Sequence, residues 1–373
     1  MLRLHDEATG ALRDLELGAR TTVYVCGITP YDSAHLGHAF TYVHFDVLVR
    51  YLRHLGADVV HAQNVTDVDD DILRVARERG IDHRKLAEQE TASFERAMSA
   101  IGVQPPSFTP LVSEFVPAIV EEVAALVAAR HGYERDGTVY FPVSSYQAYG
   151  QLSGLSREEM LPLAAERGGH PEDPNKDDPL DFVLWQRSLP GEPWWESPWG
   201  RGRPGWHIEC STMARRLLGQ PIDIHGGGTD LVFPHHESEI AQAESLPGER
   251  PFVRHWMHTG TVYYDGDKMS KSLGNLAFVS DLIERHDPLK LRRFLLAHHY
   301  RSDWTFSERE LERFAPSAAL PGAGGRAQRQ EFFDALDDDL DTPRALEILD
   351  RAAASADPES QALIEEGSRI LGI

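Results

Sequence analysis

The chain has 373 residues, 41% of them hydrophobic and 26% charged, which is the composition of a soluble globular protein with room for two or three domains. Its formal net charge is -22, so the composition argues against a large nucleic-acid footprint, which requires clustered Lys and Arg. The sequence has neither an apolar run near the ~20 residues that span a bilayer nor the apolar segment of a signal peptide, which predicts a cytoplasmic protein.

The first part of the sequence predicts a βαβ unit. Residues 23–26, VYVC, are typical of a short buried strand, and the turn-prone GITPYDS follows it. The segment AFTYVHFDVLVRYLRHLG repeats apolar residues at helical spacing up to Gly56, and DVVHAQNV predicts a second strand. Because parallel strands joined by a helix end at one edge of a sheet, ligands are expected at that edge.

The remaining elements alternate between sheet, insertion and helix. Residues 71–130 are predicted to be mostly helical, with a break at the prolines of VQPPSFTP, and YERDGTVYFPV predicts a hairpin. Segments rich in Gly, Pro and charge up to about residue 200 indicate an insertion into the sheet domain. WHIEC and IDIH are predicted to be strands that each run into a helix, and helices are predicted from the end of HTGTVYYDGDKMSKSLGN onward.

The two cysteines of the chain, Cys26 and Cys210, are both predicted at the carboxyl end of a strand. His235 and Glu239 follow in FPHHESE at a spacing that stacks them on one face of a helix. Two thiolates, an imidazole and a carboxylate would make a tetrahedral zinc site of ordinary ligand types. Two buried cysteines near a capping pair of histidines are the alternative, and the spacing leaves both open.

Three further motifs suit a nucleotide. His35-Leu36-Gly37-His38 lies at a strand-to-helix turn, where helix N-termini and small residues favour phosphates. The glycines of Gly226–Asp230 would let the backbone touch a ribose, and Lys268-Met269-Ser270-Lys271-Ser272 would suit a clamp on a polyphosphate. Taken singly, the motifs also fit surface histidines, a plain loop and a solvated charged loop.

In combination and in this order, the motifs resemble class I aminoacyl-tRNA synthetases. PGWHIEC, DIHGGGTDLVFPHHESEIAQ and DGDKMSKSLGN narrow the resemblance to the cysteinyl-tRNA synthetase group, over about residues 20–310. The resemblance implies an α/β fold whose Rossmann-like parallel sheet carries an inserted connective domain. The implied parts are a catalytic domain at 1–105 and 201–260, a helical segment and insertion at 106–200, a signature-loop region at 261–310 and a short helical bundle at 311–373.

The same resemblance assigns roles to residues. It implies one zinc ion per chain, held by Cys26, Cys210, His235 and Glu239, which binds the thiol of L-cysteine in preference to the hydroxyl of serine. ATP, with Mg²⁺, is the implied second substrate. The implied cysteine-binding residues are Cys26, Thr29, Thr66 and Trp206. The implied catalytic residues are His35, His38, Lys268 and Lys271. The implied ATP- or adenylate-binding residues are Gly37, Gly226, Gly227, Gly228, Asp230, Lys268, Ser270 and Lys271.

The acyl acceptor is the point on which the sequence leaves alternatives. CGITPYDSAHLGHA, SLGNLAFVSDL and HHYRSDWTF resemble the mycothiol-pathway ligase that joins cysteine to glucosaminyl-inositol, and the sequence after Ser307 is too short and too acidic to predict an RNA-binding domain. Glu239 in HHESE instead follows the synthetases. We therefore predict an amino sugar as acceptor, with tRNA or another amine as alternatives, and a monomeric protein. Intact motifs argue against a synthetase-like regulator without catalytic activity.

Overall fold

The computed structural model describes residues 1–264, 267–269, 276–315, 325–355 and 357–373, with only the backbone of residues 267 and 268. The strands are β1 (Arg3–Asp6), β2 (Ala11–Asp14), β3 (Arg20–Ile28), β4 (Asp58–Val65), β5 (Tyr133–Arg135), β6 (Thr138–Phe141), β7 (Phe182–Arg187), β8 (Gly202–Pro204), β9 (Ile222–Gly228), β10 (Val253–Thr259), β11 (Val262–Tyr264), β12 (Asp267–Lys268) and β13 (Trp304–Phe306). The helices are α1 (Leu36–His54), α2 (Asp70–Arg79), α3 (His83–Ala100), α4 (Val112–Ala128), α5 (Arg157–Glu166), α6 (Trp206–Leu218), α7 (Glu237–Glu244), α8 (Val279–Arg285), α9 (Pro288–Leu296), α10 (Glu308–Arg313), α11 (Gly325–Asp337), α12 (Thr342–Ala353) and α13 (Pro358–Leu371).

A parallel sheet in the order β10-β9-β3-β4 forms the centre of the fold, and α1 is the crossover between β3 and β4. The predicted βαβ unit is confirmed, because VYVC lies inside β3 and DVVHAQNV is β4. All four strands run in the same direction and therefore end at one edge. Cys26, Thr66, Gly228 and Gly260 lie at or just beyond those ends.

The period-two alternation of β3 divides its side chains between two cores. Val23 and Val25 pack into the cluster that contains the apolar face of α1, whereas Tyr24 and Cys26 pack into the cluster on the opposite face of the sheet. That second cluster includes apolar residues of α4, α6 and the insertion. The alternation thus directs the thiol of Cys26 toward α6 and away from α1.

The prediction of a strand at WHIEC is wrong, because Trp206–Leu218 form α6. Alternating apolar and polar residues suggested a strand, but α6 is enclosed by β3, β4, α4 and α7, and every residue from His207 to Ala214 is buried. A helix that is covered all round loses the 3.6-residue pattern by which helices are recognised. Cys210 therefore lies in the second turn of a helix rather than at a strand end.

The insertion is built on the antiparallel sheet β5-β6-β7-β8. Its hairpin β5–β6 confirms the prediction for YERDGTVYFPV and turns at Asp136 and Gly137, both in the left-handed region. The insertion contacts the central domain at α7, where the Tyr149 hydroxyl lies 3.2 Å from Ser238 Oγ and the Ser153 amide donates to Glu237 at 3.0 Å. The predicted domain bounds remain predictions.

Helices α11, α12 and α13 pack on one another, and α13 also packs on α1. Arg292 of α9 connects these parts: it is fully buried, donates to the carbonyl of Leu371 at 2.7 Å and of Ile101 at 3.1 Å, and pairs with Asp46 of α1 at 2.5 Å. The C-terminal helices are thereby attached to α1, which begins beside the carboxyl edge of the central sheet. Within the described parts of the chain, none of the helices has the length and apolar character needed to cross a membrane.

Candidate active site

An open cavity of about 380 Å³ lies at the carboxyl edge of the central sheet, and this size suits a small-molecule substrate. Most of the residues singled out in the sequence line it. They are Cys26, Thr29, His35, Gly37, His38, Thr66, Trp206, Cys210, Gly228, Asp230 and His235. Glu239 is buried behind this wall, and Gly226 and Gly227 are buried within β9, so the contact of these two glycines with a nucleotide remains a prediction.

Cys26, Cys210, His235 and Glu239 come together at one end of the cavity, with one ligand atom of each within 4.8 Å of the others. Glu239 Oε1 lies 3.1 Å from His235 Nε2 and 3.6 Å from Cys26 Sγ. A tetrahedral zinc ion with bonds of about 2.0–2.3 Å separates its ligand atoms by about 3.3–3.8 Å. The spacing of the four side chains is therefore close to that of a zinc site.

The negative charges of the buried Cys210 and Glu239 side chains also favour a bound cation. The hydrogen bond with Cys26 is the main cause that lowers the pKa of Cys210 to about 6, with the neighbouring His235 as a further cause. Burial opposes ionisation of Glu239, yet His225 and His235 lower the pKa of this carboxyl to about 2. Although burial opposes it, Cys210 and Glu239 raise the pKa of His235 to about 10, so a protonated His235 balances their charge in the metal-free group. A divalent metal ion bound by the neutral imidazole would supply that positive charge instead. The residues present thus fit zinc.

A second layer of histidines surrounds these four side chains, and sequence reasoning missed it. His207 Nδ1 lies 3.0 Å from His235 Nδ1, which leaves Nε2 of His235 facing Glu239. His225 Nε2 lies 3.0 Å from Glu239 Oε2, and His236 Nε2 lies 3.3 Å from Cys26 Sγ. The pattern HHxxE was visible, but the pairing of His225 with Glu239 depends on how β9 packs beside α7.

His225 and His236 also offer an alternative metal set with Cys26 and Glu239. The two sets of candidate ligands differ in how many of their residues line the cavity. Cys210 and His235 line the cavity, whereas His225 and His236 do not. Because a substrate must reach the metal from the cavity, the set with Cys210 and His235 is the one that faces it.

The other end of the cavity holds the start of α1. His35 is the N-cap, and its Nδ1 accepts a hydrogen bond from the Gly37 amide at 3.1 Å. The His38 ring stacks on the His35 ring with centroids 3.8 Å apart. A Cβ on residue 37 would lie 3.0 Å from the His35 ring, so glycine lets that ring cover the backbone. Two imidazoles and a helix N-terminus are a suitable environment for a phosphate.

Met269 is the residue of the signature motif whose side chain is described, and it lies at this end of the cavity. Met269 lines the cavity, with its Cε 3.7 Å from the position of a Cβ on residue 37. The backbone of Lys268 pairs with Tyr263 in the β11–β12 ladder, while Ser270 and Lys271 lie outside the described residues. The roles of Lys268, Ser270 and Lys271 therefore remain predictions.

Thr66 belongs to a hydrogen-bonded chain that the sequence did not reveal. The Gly27 backbone amide donates to Asn64 Oδ1 at 2.8 Å, and the side-chain amide of Asn64 donates to Thr66 Oγ1 at 3.1 Å. The Thr66 hydroxyl in turn donates to Glu209 Oε2 at 3.2 Å. These bonds fix the orientation of the Thr66 hydroxyl at the cavity wall. The Trp206 ring closes the same region, with its centroid 4.5 Å from that of His235.

Fold and site together place the chain among the class I synthetase catalytic domains. The family described as "tRNA synthetases class I (C) catalytic domain" matches residues 15–315. The chain belongs to this family, and it is an ATP-dependent ligase.

Curated relatives narrow the resemblance further. The protein of Thermomonospora curvata named L-cysteine:1D-myo-inositol 2-amino-2-deoxy-alpha-D-glucopyranoside ligase is 48% identical, over 95% of this chain and 88% of its own length. Proteins of the same name from Thermobifida fusca and Streptomyces griseus are 46% and 47% identical, over 97% and 95% of this chain and 92% and 89% of theirs. These relatives are therefore aligned along nearly the whole chain.

Solved structures agree with the fold. Methionyl-tRNA synthetase of Mycobacterium tuberculosis bound to methionyl-adenylate superposes with a TM-score of 0.67 and 17% identity, covering 94% of this chain and 89% of that one. A putative arginyl-tRNA synthetase of Campylobacter jejuni gives a TM-score of 0.58 and 13% identity, covering 96% and 92%. At these identities the likeness concerns the fold alone.

Proposed function

We propose that the chain activates L-cysteine with ATP as cysteinyl-adenylate and transfers the cysteinyl group to the amine of glucosaminyl-inositol. One observation carries the proposal: a single cavity has a sulfur-rich metal set at one end and two imidazoles at a helix N-terminus at the other. Cysteinyl-adenylate has a thiol and a phosphate at corresponding ends. The acceptor is taken from the name of relatives that match along 95–97% of the chain.

In the first step, a carboxylate oxygen of cysteine attacks the α-phosphorus of ATP, and the bond from that phosphorus to the bridging oxygen of pyrophosphate breaks. His35 and His38 donate hydrogen bonds to the α-phosphate, and Lys268 and Lys271 stabilise the charge of the leaving pyrophosphate, which carries Mg²⁺. In the second step, the acceptor amine attacks the acyl carbon and AMP leaves. Catalysis consists chiefly of positioning and electrostatic stabilisation.

We assign the selection of cysteine to the end of the cavity that lies opposite His35 and His38. A zinc ion bound by Cys26, Cys210, His235 and Glu239 would supply a Lewis acid that prefers the thiolate of cysteine to the hydroxyl of serine. Trp206 and Thr66 enclose the rest of the amino acid, and the fixed Thr66 hydroxyl keeps a lone pair for its amine.

Cysteine-dependent exchange of pyrophosphate into ATP tests the first step, with serine as the control substrate. We expect pyrophosphate exchange with cysteine and none with serine. If zinc-loaded protein shows no exchange with cysteine, the proposal is contradicted. The Cys210→Ala variant is expected to lose zinc and exchange together. The Lys271→Ala variant is expected to keep its zinc and to exchange more slowly, so an unchanged rate would remove Lys271 from the mechanism.

A cysteinyl-tRNA synthetase activity is the second candidate. Glu239 supports it, because the resemblance places a carboxylate at this position in the synthetases, and the matching family is a synthetase catalytic domain. Supplying glucosaminyl-inositol and cysteine-specific tRNA separately to the same zinc-loaded protein decides between them. Amide formation is expected with the amino sugar; charging of tRNA alone would establish the second candidate, and reaction with neither would indicate another amine.

A further inference from the structure

The hydrogen bonds behind Thr66 have a direction that the backbone sets. The Gly27 N–H can only donate, so the Asn64 atom that lies 2.8 Å from it is the carbonyl oxygen Oδ1. The amino group of the same side chain, Nδ2, therefore faces Thr66 and donates to its Oγ1 at 3.1 Å. A backbone donor thus determines which end of the Asn64 amide faces Thr66.

Thr66 has one hydroxyl proton, and that proton is directed at Glu209. A hydroxyl offers one donor and two lone pairs. Asn64 occupies one lone pair, and the proton is donated to Glu209 Oε2, 3.2 Å away. Because Thr66 lines the cavity and Glu209 is buried behind it, a ligand can reach the lone pair that remains. Thr66 therefore presents an acceptor to the cavity and no donor.

The surroundings of Glu209 differ from those of a carboxylate in a structural ion pair. Within the described residues, its buried side chain accepts a hydrogen bond from Thr66 and pairs with no Lys or Arg. Glu122 shows the contrast, because it also accepts from a threonine of α6, Thr212, at 3.1 Å, but pairs with Arg215 at 3.1 Å. Burying a carboxyl group for one hydroxyl partner costs stability, and such costs are typical of functional sites.

We propose that Glu209 is a specificity-determining positioning residue for the α-ammonium of cysteine, because it holds the Thr66 hydroxyl as an acceptor. The inference rests on the proposed function, in which the thiol lies at the metal set and the carboxylate points toward the phosphate end. The ammonium is the group of cysteine that remains, and it carries donors only. A hydroxyl that donates to a carboxyl group is also polarised, which makes its oxygen a better acceptor.

A directional acceptor also distinguishes the two enantiomers of the amino acid. With the thiol and the carboxylate at opposite ends of the cavity, L-cysteine and D-cysteine place the ammonium and the hydrogen of the α-carbon on opposite bonds. An acceptor on one wall therefore binds the ammonium of one enantiomer and faces the hydrogen of the other. The preference for L-cysteine should thus depend on Glu209.

The test uses the full-length, zinc-loaded chain and two ligands. Pyrophosphate exchange gives the KM for L-cysteine, and inhibition of that exchange gives the inhibition constant of 3-mercaptopropionate, which has the thiol and carboxylate of cysteine but no amine. The amide of Glu209→Gln can donate to Thr66 and turn the hydroxyl proton toward the cavity. We expect the KM for L-cysteine to rise about 10-fold, the inhibition constant of 3-mercaptopropionate to change less than about 2-fold, and the preference over D-cysteine to fall. The zinc content should equal that of the parent.

Two further variants make the test specific. Glu122→Gln is the matched control, since it makes the same change in a buried carboxyl group that accepts from a threonine of α6 outside the cavity lining. It should leave both constants unchanged. Thr66→Val removes the hydroxyl and should raise the KM for L-cysteine as Glu209→Gln does. Adding Glu209→Gln to Thr66→Val should have little further effect, because the two side chains act through one hydroxyl.

The outcomes separate a positioning role from a structural one. An equal loss for L-cysteine and 3-mercaptopropionate, a loss of zinc in Glu209→Gln, or additive effects of the two substitutions would indicate a structural role and overturn the inference. An unchanged KM for L-cysteine in Glu209→Gln would overturn it as well. A zinc-loaded parent without cysteine-dependent exchange would instead overturn the proposed function.

Discussion

Gly27 gives the sharpest test of how the cavity is assembled. It follows Cys26 at the end of β3, and its amide donates to Asn64 Oδ1 at 2.8 Å. A Cβ built on Gly27 would lie 1.6 Å from the carbonyl oxygen and 2.6 Å from the carbonyl carbon of Asn64. Because the clash is with backbone, no rotation of a side chain relieves it. Gly27→Ala must therefore push the ends of β3 and β4 apart.

The size of the shift follows from the contact. Real Cβ atoms approach other heavy atoms to no less than 3.0 Å, so the 1.6 Å contact requires a displacement of about 1.4 Å. Cys26 is the adjacent residue and moves with it, whereas metal sites tolerate deviations of only about 0.2 Å in ligand distances. We expect Gly27→Ala to lose about 1–3 kcal/mol of unfolding free energy, to release zinc, and to slow pyrophosphate exchange about 100-fold.

Urea titration, zinc analysis and exchange assays on the same preparation measure these three effects. Gly154→Ala is the control, because Gly154 has a left-handed φ of 65° but nothing within 4 Å of an added Cβ. It should lose about 1–2 kcal/mol of stability through backbone strain and keep full zinc content. Normal zinc binding and normal exchange in Gly27→Ala would show that β3 and β4 do not approach as closely as described.

Two further predictions concern stability. Arg292→Met removes the donor from two carbonyls and leaves the buried Asp46 carboxylate with Arg50 as its cationic partner. We expect a loss of about 2–5 kcal/mol in urea titrations, against less than about 1 kcal/mol for the half-exposed Arg329→Met; equal losses would contradict this. Burial lowers the pKa of His44 to about 3, from 6.5. The unfolded chain therefore takes up this proton first as the pH falls through 6.5, and the His44 contribution to the unfolding free energy decreases by up to about 1.4 kcal/mol per pH unit. His44→Gln should flatten the stability profile between pH 6 and 4, and an unchanged slope would refute this assignment.

Much of the central sheet could be predicted because its signals are local. The β4 strand is an unbroken run, DVVHAQNV, that ends in polar residues, and its bounds match the sequence prediction. The apolar repeat that starts at Ala39 and stops at Gly56 predicted most of α1, which begins three residues earlier, at Leu36, and ends at His54. Such patterns depend on residues that are neighbours in sequence, so they predict the strand and the helix without knowledge of the tertiary packing.

The environment of the metal set could not be predicted in the same way. The pairing of Glu239 with His225 joins α7 to β9, and the contact of Cys26 with His236 joins residues 210 positions apart. Burial on all sides removed the helical pattern at Cys210. Likewise, nothing local to Thr66 indicates that its hydroxyl is fixed by Glu209. These relations arise from packing between elements, which the sequence does not display.

The insertion explains how the turn that carries His235, one of the four candidate metal ligands, can hold an unusual shape. The turn Val232–His236 is interrupted by the extended backbone of Phe233, which makes its carbonyl available to a donor from outside. Arg167 of the insertion donates to that carbonyl and, at 2.6 Å, to the carbonyl of Asp230. A side chain from the insertion thus satisfies backbone carbonyls between the glycine-rich turn and His235. Because an unmet buried carbonyl costs about 1–3 kcal/mol, this contact stabilises the turn that orients His235, and the insertion acts on the site by ordering it from outside.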